Sequence, residues 1–231
     1  MIYQHEKIWL SIDSLVLGYD PEDENLKILL FERQLEPFAN EWSLIGGFVN
    51  PNENTDDAAR RVLQAFTGLN DVFLEQLHVF GQHDRDPGGQ VVSILYWSLI
   101  KLDEIHKDIV VQHGARWFDI HQLPSVVMDH DQMIAKGIDT LKKRAVTSPI
   151  GFELLPSRFT LPQLLRLYEA IYDRKIDDRN FRKKILATNI LQRLDQKDKS
   201  TSKKGAYLYE FDQKQYQKFK HSGFHLEFNI S

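Results

Sequence analysis

Gly47, Glu53, Arg61, Leu63, Gly68 and Leu69 stand at the spacing G-x5-E-x7-R-x-U-x4-G-U, where U is aliphatic. With carboxylates at three of the intervening positions, such a stretch is a helix face that gathers a divalent metal. Mg2+ takes hard oxygen ligands in fixed geometry, and it activates bound water while neutralising developing negative charge. Here Val62, Ala65 and Phe66 occupy those three positions, and none of them can bind Mg2+. Glu53 is left alone with an arginine. An acid near a helix N-terminus is in any case favoured by the helix dipole. The expectation is that no residue is catalytic, that no metal or cofactor is held, and that the former site is a pocket or a filled core.

A second set of residues suggests different chemistry. In "DDRNFRKKILATNIL", residues 177–191, a helical period of roughly 100° per residue puts Phe181, Ile185 and Thr188 on one side. Arg179, Asn180, Lys183 and Ala187 fall opposite, flanked by Arg182 and Lys184. Arg, Lys and Asn on one helix face can reach base edges in a major groove while flanking cations meet phosphates. Leu186 lies between the faces. Lys203 and Lys204 precede Gly205 at a hairpin tip, where a wing could meet the DNA backbone or minor groove. The histidine stretches "HDRD", residues 83–86, and "DHD", residues 129–131, have no spacing diagnostic of zinc and are not read as metal sites.

The elements that must position these residues follow from periodicity. "WLSIDSLVLGY", "LKILLFERQ", "EWSLIGGFV", "LEQLHVFGQ" and "VVSILYWSLI" read as strands, the first two joined by the polar turn "DPEDEN". Between them lies the helix carrying Ala58, Val62, Leu63 and Phe66 as an apolar stripe, capped by Asn54 or Thr55 and stopped by Gly68. A later helix, "DHDQMIAKGIDTLKKRAV", completes an α/β sandwich. "TSPIGFELLPSRF", residues 147–159, has two prolines, a glycine and no period, so the boundary is placed there: residues 1–150 form one domain and 151–231 the other. In the second, Thr160 caps an amphipathic helix that tolerates an early Pro162 and faces inward with Leu164, Leu167, Tyr168 and Ile171. Asp177 or Asp178 opens the basic helix, and the strand "AYLYEFD" closes a hairpin after it. That order is a winged helix-turn-helix, giving an α+β chain overall.

Charge divides the same way. Residues 156–231 carry 16 Lys and Arg against 9 Asp and Glu, a net +7, whereas residues 1–155 carry 13 against 24, a net −11. An acidic body repels polyanions, and a basic module attracts them. The chain has no cysteine, which removes disulfides and thiolate metal sites. No basic segment and apolar run opens the sequence, and its longest apolar stretch, "VVSILYW", is far shorter than a bilayer span. A soluble cytoplasmic protein without a membrane partner is expected.

The broken helix motif resembles the Nudix box, and together with "FGQHDRDPGGQVVS", "WFDIHQLPSVVMDHDQMI" and "LLPSRFTLPQLLRLYEAIYDRKIDDRNFRKKIL" it makes nearly the whole chain similar to the Nudix-related transcriptional regulators. The resemblance implies an N-terminal degenerate Nudix α/β/α sandwich that senses a metabolite and a C-terminal winged helix-turn-helix that binds double-stranded operator DNA. It implies a repressor acting as a homodimer and released by its effector. Some members of that family respond to ADP-ribose and related nucleotides, and a branch beside sugar-utilisation genes responds to L-arabinose. Loss of the phosphate-handling acids points to the pentose branch and to carbohydrate metabolism. The alternatives are a regulator responding to ADP-ribose or NAD-related nucleotides, or an active Nudix hydrolase. The effector is expected among Glu32, Arg33, Trp42, Gly46, Gly47, Asp84, Arg85 and Asp86, an aromatic face with charged hydrogen-bonding groups.

Overall fold

The computed structural model describes residues 7–34, 36–70, 72–102, 110–150, 154–199 and 204–222. It divides into two compact units, one built from residues up to Gly18 and from Lys27 to Gly137, the other from Tyr19–Leu26 and from Ile138 onward.

The first unit is organised by a mixed-length sheet. Strands β1 (Trp9–Asp20), β2 (Asn25–Glu32), β3 (Trp42–Ser43), β4 (Ile45–Phe48), β5 (Glu75–Phe80), β6 (Val91–Lys101) and β7 (Ala115–Asp119) are hydrogen-bonded in the order β3-β2-β1-β6-β5, with β4 on β1 and β7 on β2. β1 is buried on both faces from Ser11 onward, which fits a central strand covered on each side. Its even residues Ile12 and Val16 pack with Ala58, Ala59, Val62 and Leu63 of helix α1 (Thr55–Thr67). Its odd residue Leu15 meets helix α2 (His130–Thr147) at Gly137, where a Cβ would come within 1.9 Å of the leucine. Successive residues of a strand face opposite ways, so the two helices cover opposite faces and the unit is an α/β/α sandwich.

Helix α1 begins where Asn54 accepts the Asp57 N–H at 2.8 Å and ends at Gly68, whose φ of 71° lies in the left-handed region. Of the two candidate caps, Asn54 is the one used. The strand expected across residues 41–49 is broken at Leu44 into β3 and β4. β7 was not anticipated as a strand.

In the second unit, α3 (Leu161–Tyr172) opens on a capping box: the Thr160 hydroxyl accepts the Gln163 N–H, and Gln163 accepts the Thr160 N–H at 2.8 Å. It packs on α4 (Asp178–Ala187) through Tyr168 and Phe181, whose ring centroids are 5.5 Å apart. The turn between them is organised around Glu169. This buried carboxylate accepts the Ile176 N–H at 3.0 Å, Arg166 at 2.7 Å and Lys175 at 3.2 Å. Asp173 supplies the left-handed residue that ends α3, and Asp177 caps α4. Strands β8 (Arg158–Thr160), β9 (Leu191–Asp198) and β10 (Ala206–Phe211) form an antiparallel sheet in the order β8-β10-β9, followed by α5 (Gln213–Ser222). In the described part of residues 147–159, where the domain boundary is expected, Ile150, Leu154, Leu155 and Phe159 are buried. Among the described residues, no helix is long and apolar enough to cross a membrane.

Candidate functional site

The residues that survive from the hydrolase motif are engaged with each other. Glu53 receives two guanidinium hydrogen bonds from Arg61, of 2.6 and 3.0 Å, and the Asn50 N–H at 2.6 Å. The same Arg61 donates to the Phe48 carbonyl at 3.0 Å. Arg61 holds the Glu53 carboxyl below its ordinary range, with help from the Asn50 N–H. Both side chains thus serve as a clasp on the loop leading into α1. Val62 is buried, with Cγ2 3.0 Å from where a Cβ on Gly47 would lie. Phe66 turns its ring edge-on to Phe31 at 4.9 Å, and Ala65 faces outward. Among the described residues there is no group of three or more His, Asp or Glu able to hold a metal ion. Apolar side chains and a committed Glu53 do not fit the metal that the parent motif was built for.

What remains is a cavity of about 600 Å³ at the end of β1, walled by Trp9, Phe31, Phe48, Phe66 and Met128. Arg33, Gly46, Gly47, Arg85 and Asp86 line it. Glu32, Trp42 and Asp84 do not, and strand geometry explains the first two. Alternation puts Phe31 and Arg33 on one face of their chain segment and Glu32 on the other; Ser43 likewise faces the cavity while its neighbour Trp42 turns away. Trp42 packs edge-on to Phe118 at 4.7 Å, under the Arg116 guanidinium. Asp84 is exposed at a turn.

The cavity floor is a buried charged network drawn from four segments. Arg85 grips Asp129 through hydrogen bonds of 2.9 and 2.7 Å and lies 3.8 Å from Asp13. Asp13 Oδ2 accepts from the Ser93 hydroxyl. Burial opposes charge on Arg85, but Asp129, then Asp13 and Asp86, outweigh it and keep the guanidinium protonated. His130 Nδ1 accepts the Leu44 N–H at 3.0 Å. Its Nε2 lies 3.7 Å from Asp13 Oδ1, beyond hydrogen-bond reach, and has no partner among the described residues. Burial lowers the His130 pKa despite the pull of Asp13 and Asp129, so the ring is neutral and the pair is not an ion pair. The "HDRD" and "DHD" stretches, separate in sequence, therefore meet through Arg85 and Asp129. Asp13, Ser93 and His130 were missed by the sequence reading, which had no local pattern to find them by.

In the second unit, Arg179 and Lys183 are exposed on α4, with Asn180, Arg182 and Lys184 half-buried around them. Phe181 and Ile185 face the core. Arg182 is tied to Asp178 one turn earlier at 2.7 Å. Leu186 is 40% exposed. Lys204 is exposed beside Gly205 at the hairpin turn; Lys203 lies outside the described residues. The hairpin also carries a cluster the sequence reading passed over: Arg193 and Lys197 of β9 stand 4.7 and 4.5 Å from the ring centre of Tyr207 on β10. Their four-residue spacing puts both cations on one strand face, a signal present in "LQRLDQKD" but lost while that stretch was not read as a strand.

A sandwich with this helix and cavity, followed by two helices and a hairpin, is an N-terminal Nudix domain with a C-terminal winged helix domain. The model of the NUDIX domain matches residues 13–137, and that of the NrtR DNA-binding winged helix domain matches residues 151–211. The chain belongs to the Nudix family. It is 28% identical over 206 residues to the ADPR responsive transcriptional repressor NtrR of Acinetobacter baylyi, covering 87% of this chain and 81% of that one. The structure of Shewanella oneidensis NrtR complexed with a 27mer DNA superposes with a TM-score of 0.78 at 24% identity, over 96% of this chain and 99% of the other, a likeness of fold. The NUDIX domain of Shewanella oneidensis NrtR, complexed with ADP ribose, is 28% identical with a TM-score of 0.51, over 59% of this chain and 90% of that one.

Proposed function

We propose that this protein is an effector-responsive transcriptional repressor. Its winged helix binds operator DNA as a homodimer, and a small molecule in the Nudix cavity releases it. The observation that carries this reading is the fate of the Nudix helix. Its metal-binding face has become apolar at Val62 and Phe66, yet the cavity beside it stays open over a charged floor. A pocket kept without its catalysts suits sensing, not turnover. A two-fold protein matches two half-sites one helical turn apart, and a repressor of this kind acts in the cytoplasm, where its DNA is.

ADP-ribose is the effector best supported, since both a whole-chain relative and a co-crystallised Nudix domain are described with it. The comparisons lend no support to the L-arabinose branch suggested by the missing acids. One observation keeps a neutral sugar in the experiment: among the described lining residues Arg33 and Arg85 are matched by Asp13, Glu36 and Asp86, with no cationic excess for a diphosphate. The deciding measurement is calorimetric titration of the full chain with ADP-ribose and with L-arabinose, followed by binding to DNA from upstream of its own gene with and without each. The effector should lower DNA affinity by a factor of about 5–150, and DNA must lower effector affinity equally. An effector that binds but leaves DNA affinity unchanged defeats the proposal.

A further inference from the structure

We infer that Trp9 and Phe48 form the seat for the flat base of a nucleotide effector, an assignment that rests on the effector reading above. Both rings line the cavity, yet Trp9 is 61% and Phe48 51% exposed. Aromatic surface left this open is costly in water and is available to a ligand. The ring centroids are 5.7 Å apart with the planes tilted by 58°, so the pair forms a corner, not a closed stack. A planar ring laid on one of them meets the edge of the other, and aromatic groups favour both offset stacking and edge-on contact. The corner is held by its backbone. The Trp9 N–H donates to the Gln90 carbonyl at 3.0 Å, the Val49 N–H to the Leu10 carbonyl at 3.0 Å, and Arg61, clasping Glu53, donates to the Phe48 carbonyl at 3.0 Å. A platform fixed before binding loses little freedom when the ligand arrives. The residues kept from the hydrolase motif thus position a wall of the cavity.

The length of the cavity selects the class of ligand. Trp9, Ser11 and Asp13 alternate along β1 and all line it. At about 3.3 Å per residue, Trp9 and Asp13 stand about 13 Å apart, and Arg85 lies 3.8 Å from Asp13 at the charged end. A single pentose seated at either end leaves the other empty. A molecule with a flat ring at one end and a sugar or phosphate group at the other spans both. The cavity volume of about 600 Å³ falls within the range of about 300–1,000 Å³ typical of sites for such ligands. In ADP-ribose the flat ring is a purine, whose face the aromatic corner can take.

Calorimetry and tryptophan fluorescence on the full chain test this with ADP-ribose, AMP and ribose 5-phosphate, the last lacking a base. Trp9→Ala should weaken ADP-ribose and AMP by roughly 5- to 150-fold, as removal of an aromatic from under a stacked base does, and Trp9→Phe, which keeps a ring, by much less. Ribose 5-phosphate should bind the unaltered chain and Trp9→Ala alike. ADP-ribose should also quench Trp9. The chain has four tryptophans, so the Trp9 share is the quench that disappears in Trp9→Phe while calorimetry still shows binding, a readout that does not depend on Trp9→Ala folding. If ADP-ribose binds Trp9→Ala as tightly as the unaltered chain, or is quenched equally in Trp9→Phe, the base sits elsewhere and the assignment is wrong while the effector reading stands. A loss shared by ribose 5-phosphate, or a changed oligomeric state of Trp9→Ala on sedimentation, makes Trp9 a structural or subunit contact and also overturns it. If ADP-ribose does not bind the unaltered chain, the nucleotide reading and this assignment fall together.

Discussion

Arg85 and Asp129, 44 residues apart in sequence, form a two-pronged ion pair beneath the cavity, with side chains only 3% and 10% exposed. The pair ties the loop after β5 to the start of α2. Replacing a buried pair by hydrophobic groups can be neutral, but removing one partner strands a buried charge. Arg85→Met or Asp129→Ala should each cost about 3–5 kcal/mol, measured by urea unfolding. Because the two act as one unit, the double variant should lose clearly less than the sum; additive losses would mean that the pair is not coupled.

The neutral His130 makes stability depend on pH. Burial sets its folded pKa below its ordinary value, so below about pH 6.5 the unfolded chain takes up a proton that the native chain refuses. Stability should therefore fall as pH drops through this point and level off below the folded pKa. Urea midpoints at closely spaced pH values between neutrality and mild acid would show the slope. H130Q should flatten it, and an unchanged slope would place its source elsewhere.

Metal-dependent hydrolysis is expected to be absent. With Val62, Ala65 and Phe66 in place of acids and Glu53 clasped by Arg61, the face of α1 no longer offers a set of carboxylates to a metal. Incubation with Mg2+ and ADP-ribose should release product far more slowly than about 1 s⁻¹, the low end of ordinary enzymes. Chelator-sensitive turnover above that rate would show that the chain holds metal by other residues.

On DNA, Arg179→Ala and Lys183→Ala should each cost about 1–3 kcal/mol on operator and much less on random sequence, as base-reading residues do. Lys204→Ala should weaken both alike and reduce the salt slope by about 1. Anisotropy titrations over a range of salt separate the two patterns. If all three variants lose equally on both DNAs, the recognition surface is misassigned and the Tyr207 cluster on the hairpin becomes the next candidate.

Much of the scaffold was legible because its causes are local. Asn54, Gly68, Thr160 and Asp177 announce helix ends by their own side chains or backbone freedom, and the buried stripe of α1 follows from spacing alone. The cavity floor was not legible. Asp13, Arg85, Asp129 and His130 come from separate segments, and no short-range pattern states that they converge. Glu32 and Arg33 were expected to share a site although strand alternation already set them on opposite faces. The terminal helix α5 was missed for the opposite reason: "QKQYQKFKHS" has too little apolar content to advertise a face.

The 2.7 Å contact between Arg182 and Asp178 bears on how DNA is chosen. Before any DNA arrives, this cation already has an anion of its own, fixed to the same helix. A phosphate must displace that carboxylate rather than a loosely condensed ion. Arg182 should therefore add less to the salt dependence of binding than an unpaired arginine would. The carboxylate would also be left beside the duplex, where a poorly placed backbone would face its repulsion without recovering the lost contact. If α4 is the helix that meets DNA, as proposed above, Asp178 would act as a tethered competitor, making attachment at imperfect sites weaker than the helix's positive charge alone would suggest.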